Sequence, residues 1–191
     1  EVMAGTSTGS IISAAVAAGV QAREIHALYV RLEETIFRKT WRSYWPLAGY
    51  KFSGKPLETA LRDVLGEGTM GEFWSSSKPL DVVITVRDLV ENRTRFVKSW
   101  KPEYQAWKAW YAVLCSSTVP TYFPVVDGRY VDGGVGSYTN PCYLAAFEST
   151  RILGWDNSET TLISIGTGRV AGGFKPYEAD RFNSLEWINP L

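Results

Sequence analysis

The sequence predicts an α/β fold in which a mostly parallel sheet lies between layers of helices. Apolar, β-branched runs at residues 2–4, 81–86 and 161–165 alternate with segments of helical periodicity, and such alternation is typical of parallel sheets covered by helices. The chain has 191 residues and is 45% hydrophobic, which is enough for one core. We therefore expect a single domain over residues 1–191.

Three helices are expected between the first and second strands. Residues 10–18 are small and apolar, as in a helix buried against a sheet, whereas residues 22–39 carry apolar side chains at the spacing of an amphipathic surface helix. Pro56 and Gly66 stand where a third helix would begin and end. Residues 68–78 show neither pattern, and we expect a loop there.

The second half of the chain predicts further strands and helices. Residues 81–86 are almost continuously apolar, which indicates a strand buried on both faces, and residues 94–99 are expected to pair with it after a turn. The remaining predictions are a helix at residues 103–115, a short strand that ends at Asp132, a helix at 141–151, a strand at 161–165 and a helical turn at 184–188.

A Gly-x-Ser-x-Gly pattern, made by Gly5, Ser7 and Gly9, lies between the first strand and the first helix. In a nucleophile elbow, the serine occupies a strained strand-to-helix turn, and the glycines let the backbone fold sharply beside the Oγ atom. The N-terminus of the following helix would direct its free N–H groups at the site. Ser7 is therefore the candidate nucleophile. The alternative is a glycine-punctuated turn with a solvated serine.

Asp132 is the candidate base, because it and Ser7 each follow a predicted strand, where open α/β sheets place their sites. A Ser-His-Asp triad could use only His26, which follows the serine closely, whereas the α/β-hydrolase order places the histidine last. The base must then be a carboxylate. Burial beside Gly133 and Gly134 would raise its pKa above the reference value of about 3.9. The alternative is an ordinary turn aspartate.

Composition argues against several classes of function. The chain has 20 basic and 20 acidic residues, so we expect no nucleic-acid binding. No apolar run is long enough for a membrane span, and we see no signal peptide. Cys115 and Cys142 are the only cysteines and lack a CxxC spacing, which argues against a zinc site and a disulfide scaffold. We expect no metal, a reducing compartment and a cytoplasmic location.

Residues 37–52 interleave lysine and arginine with aromatic side chains, among them Phe37 and Phe52, and contain no acidic residue. At a lipid headgroup boundary, aromatic rings lie at the interface, and each Lys or Arg adds about 1 kcal/mol of attraction to an anionic surface. Transient contact with a membrane surface is one hypothesis for this stretch. The alternative is a loop whose aromatic side chains pack onto the domain.

Five motifs, in this order, resemble those of the patatin-like phospholipase family. Residues 5–9 match its nucleophile motif, residues 116–124 look like its Ser-Ser-x-x-Pro-x-Tyr-Phe-Pro segment, and residues 132–134 match its Asp-Gly-Gly. Residues 140–141 are similar to the Asn-Pro that follows that acid, and residues 164–168 to its late strand and Gly-Thr-Gly turn.

The resemblance implies a three-layer α/β/α sandwich and a Ser7–Asp132 dyad that hydrolyses fatty-acyl esters of phospholipids or related lipids, without a metal or cofactor. Ser7 would form an acyl-enzyme while Asp132 takes its proton and later activates water. The backbone N–H of Thr8 would supply one oxyanion donor. Members also carry a glycine-rich oxyanion loop on an earlier strand, which we expect to lie upstream of this sequence. Removing one such donor typically costs about 100- to 1000-fold in rate.

Two other functions stay open. A soluble carboxylesterase or thioesterase with the same dyad would cleave monomeric short-chain esters with no increase of rate on micelles. A lipid-binding or partner-binding module of the same fold would bind without turnover. Replacing Ser7 by alanine separates these classes, because it abolishes hydrolysis but leaves simple binding almost intact. The lipid, the acyl position and the oligomeric state are not specified by the sequence.

Overall fold

The computed structural model describes residues 1–37, 49–75 and 80–168. Within these residues, the sheet consists of β1 (Val2–Gly5), β2 (Asp81–Asp88), β3 (Arg93–Lys98) and β4 (Tyr130–Asp132). The helices are α1 (Thr8–Ala17), α2 (Ala22–Ile36), α3 (Lys55–Leu65), α4 (Met70–Ser75), α5 (Pro102–Gln105), α6 (Ala109–Ser117) and α7 (Cys142–Phe147). A 3₁₀ turn at Gly133–Gly136 follows β4, and a π-helical turn at Glu148–Ile152 follows α7.

The strand β2 is the centre of the sheet. On one side, β1 runs parallel to its first half, with Gly5 opposite Ile84, and β4 runs antiparallel to its second half, with Asp132 opposite Val86. On the other side, β3 runs antiparallel to it. Strands β1 and β4 therefore point toward each other along the same edge of β2, and their carboxyl ends meet near its middle.

The described sheet is mixed, whereas the sequence predicted a mostly parallel one. One of its pairings is parallel and two are antiparallel. A tight turn joins β2 to β3, and a turn this short permits only antiparallel pairing. Strand β4 follows a loop after α6 instead of a crossover helix, and it runs in the opposite direction to β2.

The middle of β2 is buried on both faces. Val83, Ile84 and Thr85 are each 0% exposed, and successive residues of a strand point to opposite faces, so both faces of the sheet are covered. Ile84 belongs to the main hydrophobic core, to which α1, α3 and α6 contribute buried side chains. The α/β fold class predicted from the sequence is therefore confirmed.

Two predictions about helices are wrong in detail. Within the expected loop at residues 68–78 lies α4, whose first residue, Met70, is fully buried and donates its backbone N–H to Trp107 O at 2.8 Å. The expected helix at residues 103–115 is divided into α5 and α6. Between these two helices, Trp107 O accepts the Met70 N–H and Lys108 pairs with Thr69. These residues therefore bind the chain at the start of α4 instead of continuing a helix.

The strand expected at residues 161–165 is absent from the described structure. Leu162, Ile163 and Ile165 are 51%, 77% and 89% exposed. The segment is held near the domain by Asn140, which donates a side-chain hydrogen bond to Ser164 Oγ at 3.1 Å. β-Branched composition favours a strand only where a neighbouring strand offers a ladder, and none of the described strands pairs with this segment.

Other expectations concern single residues or fall outside the described ranges. Cys115 and Cys142 are both free thiols. In the described part of the chain, no helix combines the length and the apolar character needed to cross a bilayer. Residues 38–48 and the helical turn expected at 184–188 lie outside the described residues.

Candidate active site

Ser7 lies in a strained turn between β1 and α1. Its backbone has φ 54° and ψ −127°, a conformation that residues with a side chain rarely adopt. A Cβ atom on Gly5 would lie 2.4 Å from Gly9 O, so only glycine fits at that position. A Cβ on Gly9 would meet nothing within 4 Å, and the structure shows no steric need for glycine there. This geometry is the strained strand-to-helix elbow that the Gly-x-Ser-x-Gly pattern predicts.

Three serine hydroxyls hold the peptide groups of Ser7. Its N–H donates to Ser116 Oγ at 3.0 Å. Its carbonyl oxygen accepts from Ser10 Oγ at 2.6 Å and from Ser117 Oγ at 3.2 Å. Ser10 and Ser116 are fully buried, so these bonds are shielded from water. The sequence pattern marked residues 116 and 117 as part of a motif but gave them no role.

Asp132 ends β4 and is 3% exposed. Its Oδ1 accepts a hydrogen bond from the Gly134 N–H at 2.8 Å, whereas its buried Oδ2 has no hydrogen-bond partner in the described part of the chain. Burial raises the pKa of this carboxyl above its ordinary value, and the nearby Ser7 side chain and the Gly134 N–H lower it by less. A raised pKa strengthens a carboxylate as a base near neutral pH.

The glycines after Asp132 allow two close approaches. A Cβ on Gly133 would lie 2.4 Å from Thr85 O, and a Cβ on Gly134 would lie 3.1 Å from Asp132 Oδ1. A side chain at residue 133 would therefore clash with β2. A side chain at residue 134 would press against the carboxylate that its own N–H binds.

The backbone N–H of Thr8 is the first of α1, and Thr8 is exposed. None of the hydrogen bonds among the described residues uses this N–H as a donor, while the Thr8 carbonyl accepts from Tyr29 Oη at 2.7 Å. A helix N-terminus with a free N–H stabilises negative charge. His26 is exposed on α2.

The aromatic and cationic stretch at residues 37–52 is described only at its two ends. Phe37 packs edge-on against Phe52, with ring centroids 5.3 Å apart, and lies 6.4 Å from the Phe123 ring. At these ends, the rings contact other aromatic side chains of the domain, and Phe37 is still 48% exposed. The expected membrane contact concerns mainly residues 38–48, which lie outside the described residues.

A cavity of about 340 Å³ lies between α3, α6 and the loop before β4. Trp110 and Leu114 of α6 form part of its wall, but neither Ser7 nor Asp132 lines it. Over residues 1–37, 49–75 and 80–168, no three histidine, cysteine, aspartate or glutamate side chains are grouped so that they could hold a metal ion.

Comparison with known proteins gives relatives that the chain covers only in part. An intracellular phospholipase A2 of Caenorhabditis elegans is 27% identical over 184 residues, an alignment that covers 87% of this chain and 16% of that protein. Patatin-12 and patatin group J-1 of Solanum tuberosum are each 26% identical over 224 residues, which covers 98% of this chain and 56% of theirs. The chain thus spans little more than half of the patatins and a smaller part of the phospholipase.

The sequence profile of patatin-like phospholipases matches residues 1–146, most of the 191-residue chain. The matched part contains the elbow at Ser7 and the buried acid at Asp132, the two residues whose surroundings are described above. The chain belongs to the patatin-like phospholipase family.

Proposed function

We propose that this domain is a lipid acyl hydrolase that cleaves fatty-acyl ester bonds of phospholipids or related lipids through a Ser7–Asp132 dyad. The observation that carries the proposal is the elbow conformation of Ser7 next to a buried carboxyl with a raised pKa. Membership of the family supports a lipid substrate. A serine hydroxyl needs a base, and Asp132 is the titratable group whose pKa responds to the Ser7 side chain.

The reaction proceeds in two halves. Ser7 Oγ attacks the ester carbonyl as Asp132 accepts its proton, and the tetrahedral intermediate collapses when the alcohol leaves with that proton. Asp132 then takes a proton from a water molecule, which attacks the acyl-enzyme and releases the fatty acid. The proton finally returns to Ser7 Oγ. The dyad therefore ends each cycle unchanged, and no metal or cofactor takes part.

The oxyanion of each tetrahedral intermediate needs preorganised donors. The Thr8 N–H supports this role because it begins α1 and has no acceptor within the described residues. It supplies one donor. Further donors would come from a glycine-rich loop, by analogy with the family.

The substrate is proposed to be presented at a membrane or micelle surface. Val135, in the turn directly after Asp132, is 51% exposed and supports an apolar surface for the incoming lipid. Transient contact through residues 37–52 belongs to the same proposal. Sedimentation with vesicles that contain anionic phospholipid, in low and high salt, tests it: salt-sensitive binding supports surface contact, and its absence contradicts it.

The first experiment is labelling with a fluorophosphonate, followed by intact-mass measurement and peptide mapping. We expect one adduct, on Ser7. Ser7→Ala should abolish it, and Asp132→Asn should slow its formation as strongly as it slows hydrolysis of a phospholipid in micelles. The two substitutions should have similar effects because the residues act as a unit.

The outcome of each arm is distinct. Substantial hydrolysis by Asp132→Asn contradicts the dyad. Hydrolysis that is equally fast on monomeric short-chain esters and on micelles indicates a carboxylesterase or thioesterase. Lipid binding without labelling or turnover, unchanged in Ser7→Ala, indicates a binding module instead of an enzyme.

A further inference from the structure

Thr85 lies on β2, beside the point where the ends of β1 and β4 meet. Gly5, at the end of β1, lies opposite Ile84, and Asp132, at the end of β4, lies opposite Val86. Thr85 is the residue of β2 between these two positions and is 0% exposed. It is the residue of β2 that both strand ends approach.

The hydroxyl of Thr85 begins a hydrogen-bonded chain across the site. Thr6, the residue before Ser7, lies with its Oγ1 2.6 Å from Thr85 Oγ1, and it donates to Tyr138 O, also at 2.6 Å. A hydroxyl has a single hydrogen. Because the Thr6 hydrogen is used toward Tyr138, the bond between the two threonines must be donated by Thr85. The chain thus runs from β2 through the elbow to the loop that follows the acid.

The same threonine also contacts the other half of the dyad. Gly133 lies so close to Thr85 that a Cβ atom there would be 2.3 Å from Thr85 Oγ1 and 2.4 Å from Thr85 O. Thr85 therefore touches the residue before Ser7 by a hydrogen bond and the residue after Asp132 by direct packing. Both contacts join residues far apart in sequence, so local structure alone does not fix this spacing.

We propose that Thr85 is a positioning residue that sets the separation of Ser7 and Asp132. This inference rests on the proposed function, because the spacing matters for catalysis only if the two residues act together. Thr85 acts through its neighbours and does not touch the reacting atoms. Its hydroxyl fixes the elbow, and its backbone fixes the turn after the acid.

The test compares Thr85→Val, which keeps the shape but removes the hydroxyl, with Thr85→Ser, which keeps the hydroxyl. Misplacement of a catalytic group by about 1 Å can cost about 100-fold in rate, so we expect Thr85→Val to lower kcat between about 10- and 100-fold. KM should change little, because the buried side chain does not meet the lipid. Thr85→Ser should recover most of kcat.

Thr150→Val is the matched control. It makes the same chemical change and also loses a hydrogen bond, but among the described residues the Thr150 hydroxyl bonds only to Ala146 O, at 2.8 Å, one turn earlier in the chain. We expect Thr150→Val to leave kcat unchanged, and the unfolding temperatures of both variants are measured so that the loss of stability in each is known. Equal losses of kcat in the two variants would mean that general destabilisation, and not positioning, is the cause.

A second readout does not depend on turnover. The Ser7 side chain lowers the pKa of Asp132, so Ser7→Ala should raise that pKa, measured by carboxyl-carbon NMR with Asp132→Asn for assignment. If Thr85→Val separates the two residues, it should raise the pKa in the same direction, and Thr85→Ser should not. A Thr85→Val protein that titrates like the wild type overturns the inference. A wild type that fluorophosphonate does not label contradicts the proposed function, while this titration still decides the role of Thr85.

Discussion

Removal of the Ser116 hydroxyl tests how the strained turn at Ser7 is held. In Ser116→Ala, the Ser7 N–H loses its acceptor at 3.0 Å, while the bonds to the Ser7 carbonyl from Ser10 and Ser117 remain. Ser116 is 0% exposed, so alanine removes a buried polar atom without exposing new surface. The perturbation is therefore confined to one hydrogen bond.

The magnitude follows from that bond. A buried donor left without a partner costs about 1–3 kcal/mol, and because Ser7 is only partly buried, water can replace the partner in part. We expect the lower part of that range, about 1–2 kcal/mol. If this free energy disfavours the correctly placed conformation of Ser7, the fraction of protein in that conformation falls. The labelling rate should then fall about 5- to 30-fold, the factor that corresponds to one or two kcal/mol.

The assay combines urea unfolding with the second-order rate of fluorophosphonate labelling. Ser149→Ala is the matched control, because Ser149 is also buried and its hydroxyl bonds to Ala145 O at 2.8 Å within its own helical segment. Urea unfolding measures the free energy that each variant loses, and only Ser116→Ala should label slowly. A Ser116→Ala protein that labels at the wild-type rate would refute the reasoning, since the elbow would then hold its shape without this bond.

Three further predictions concern stability and pH. Burial raises the pKa of Asp88, but the hydrogen bonds from Arg129 and Arg95 have the larger effect, so the net pKa is lowered. The carboxylate therefore stabilises the fold above the unfolded pKa of about 3.9, and this stabilisation is lost as the pH falls. Asp88→Asn should cost about 3 kcal/mol in urea unfolding at pH 7, and its difference from the wild type should shrink in acid. Gly5→Ala should destabilise the fold by about 1–3 kcal/mol, because the new Cβ would collide with Gly9 O. Gly9→Ala, within α1, should stabilise the fold by about 0.5–1 kcal/mol. Equal effects of the two substitutions in thermal unfolding would contradict the close approach of Gly5 to Gly9. The pKa of Asp132 is raised, so stability falls as the pH rises and the carboxyl ionises, and Asp132→Asn should unfold at a higher temperature than the wild type at neutral pH. In the wild type, kcat/KM on a soluble ester should rise with pH, with a midpoint above the ordinary aspartate pKa. A midpoint at or below that value would contradict a buried base.

The sequence was sufficient for features that depend on neighbouring residues. The Gly-x-Ser-x-Gly pattern predicted the turn at Ser7, because the glycine before it is needed for a local approach to Gly9. The mostly apolar run at residues 81–86 predicted β2, since a strand buried on both faces carries apolar side chains on both of them. Asp132 was placed correctly at the end of a strand, although that strand runs antiparallel to β2.

Features that depend on distant partners were missed. The bonds from Ser116 and Ser117 to the elbow join residues 109 and 110 positions apart, and that between Thr6 and Thr85 spans 79. A serine or threonine in a buried element carries no periodic signal, so its partner cannot be identified before the fold is known. For the same reason, β-branched residues at 161–165 predicted a strand that no described neighbour pairs with.

The energetics of the elbow explain why these distant bonds matter. A residue with a side chain held in a sparsely populated backbone region costs about 1–3 kcal/mol, and Ser7 is in such a region. Each net hydrogen bond contributes about 0.5–1.5 kcal/mol, so the bonds from Ser10, Ser116 and Ser117 together are of the size needed to offset the strain. Two of these hydroxyls come from the end of α6. A Gly-x-Ser-x-Gly without that helix end would therefore relax, so the strained conformation of Ser7 is a property of the assembled fold and not of the five-residue motif.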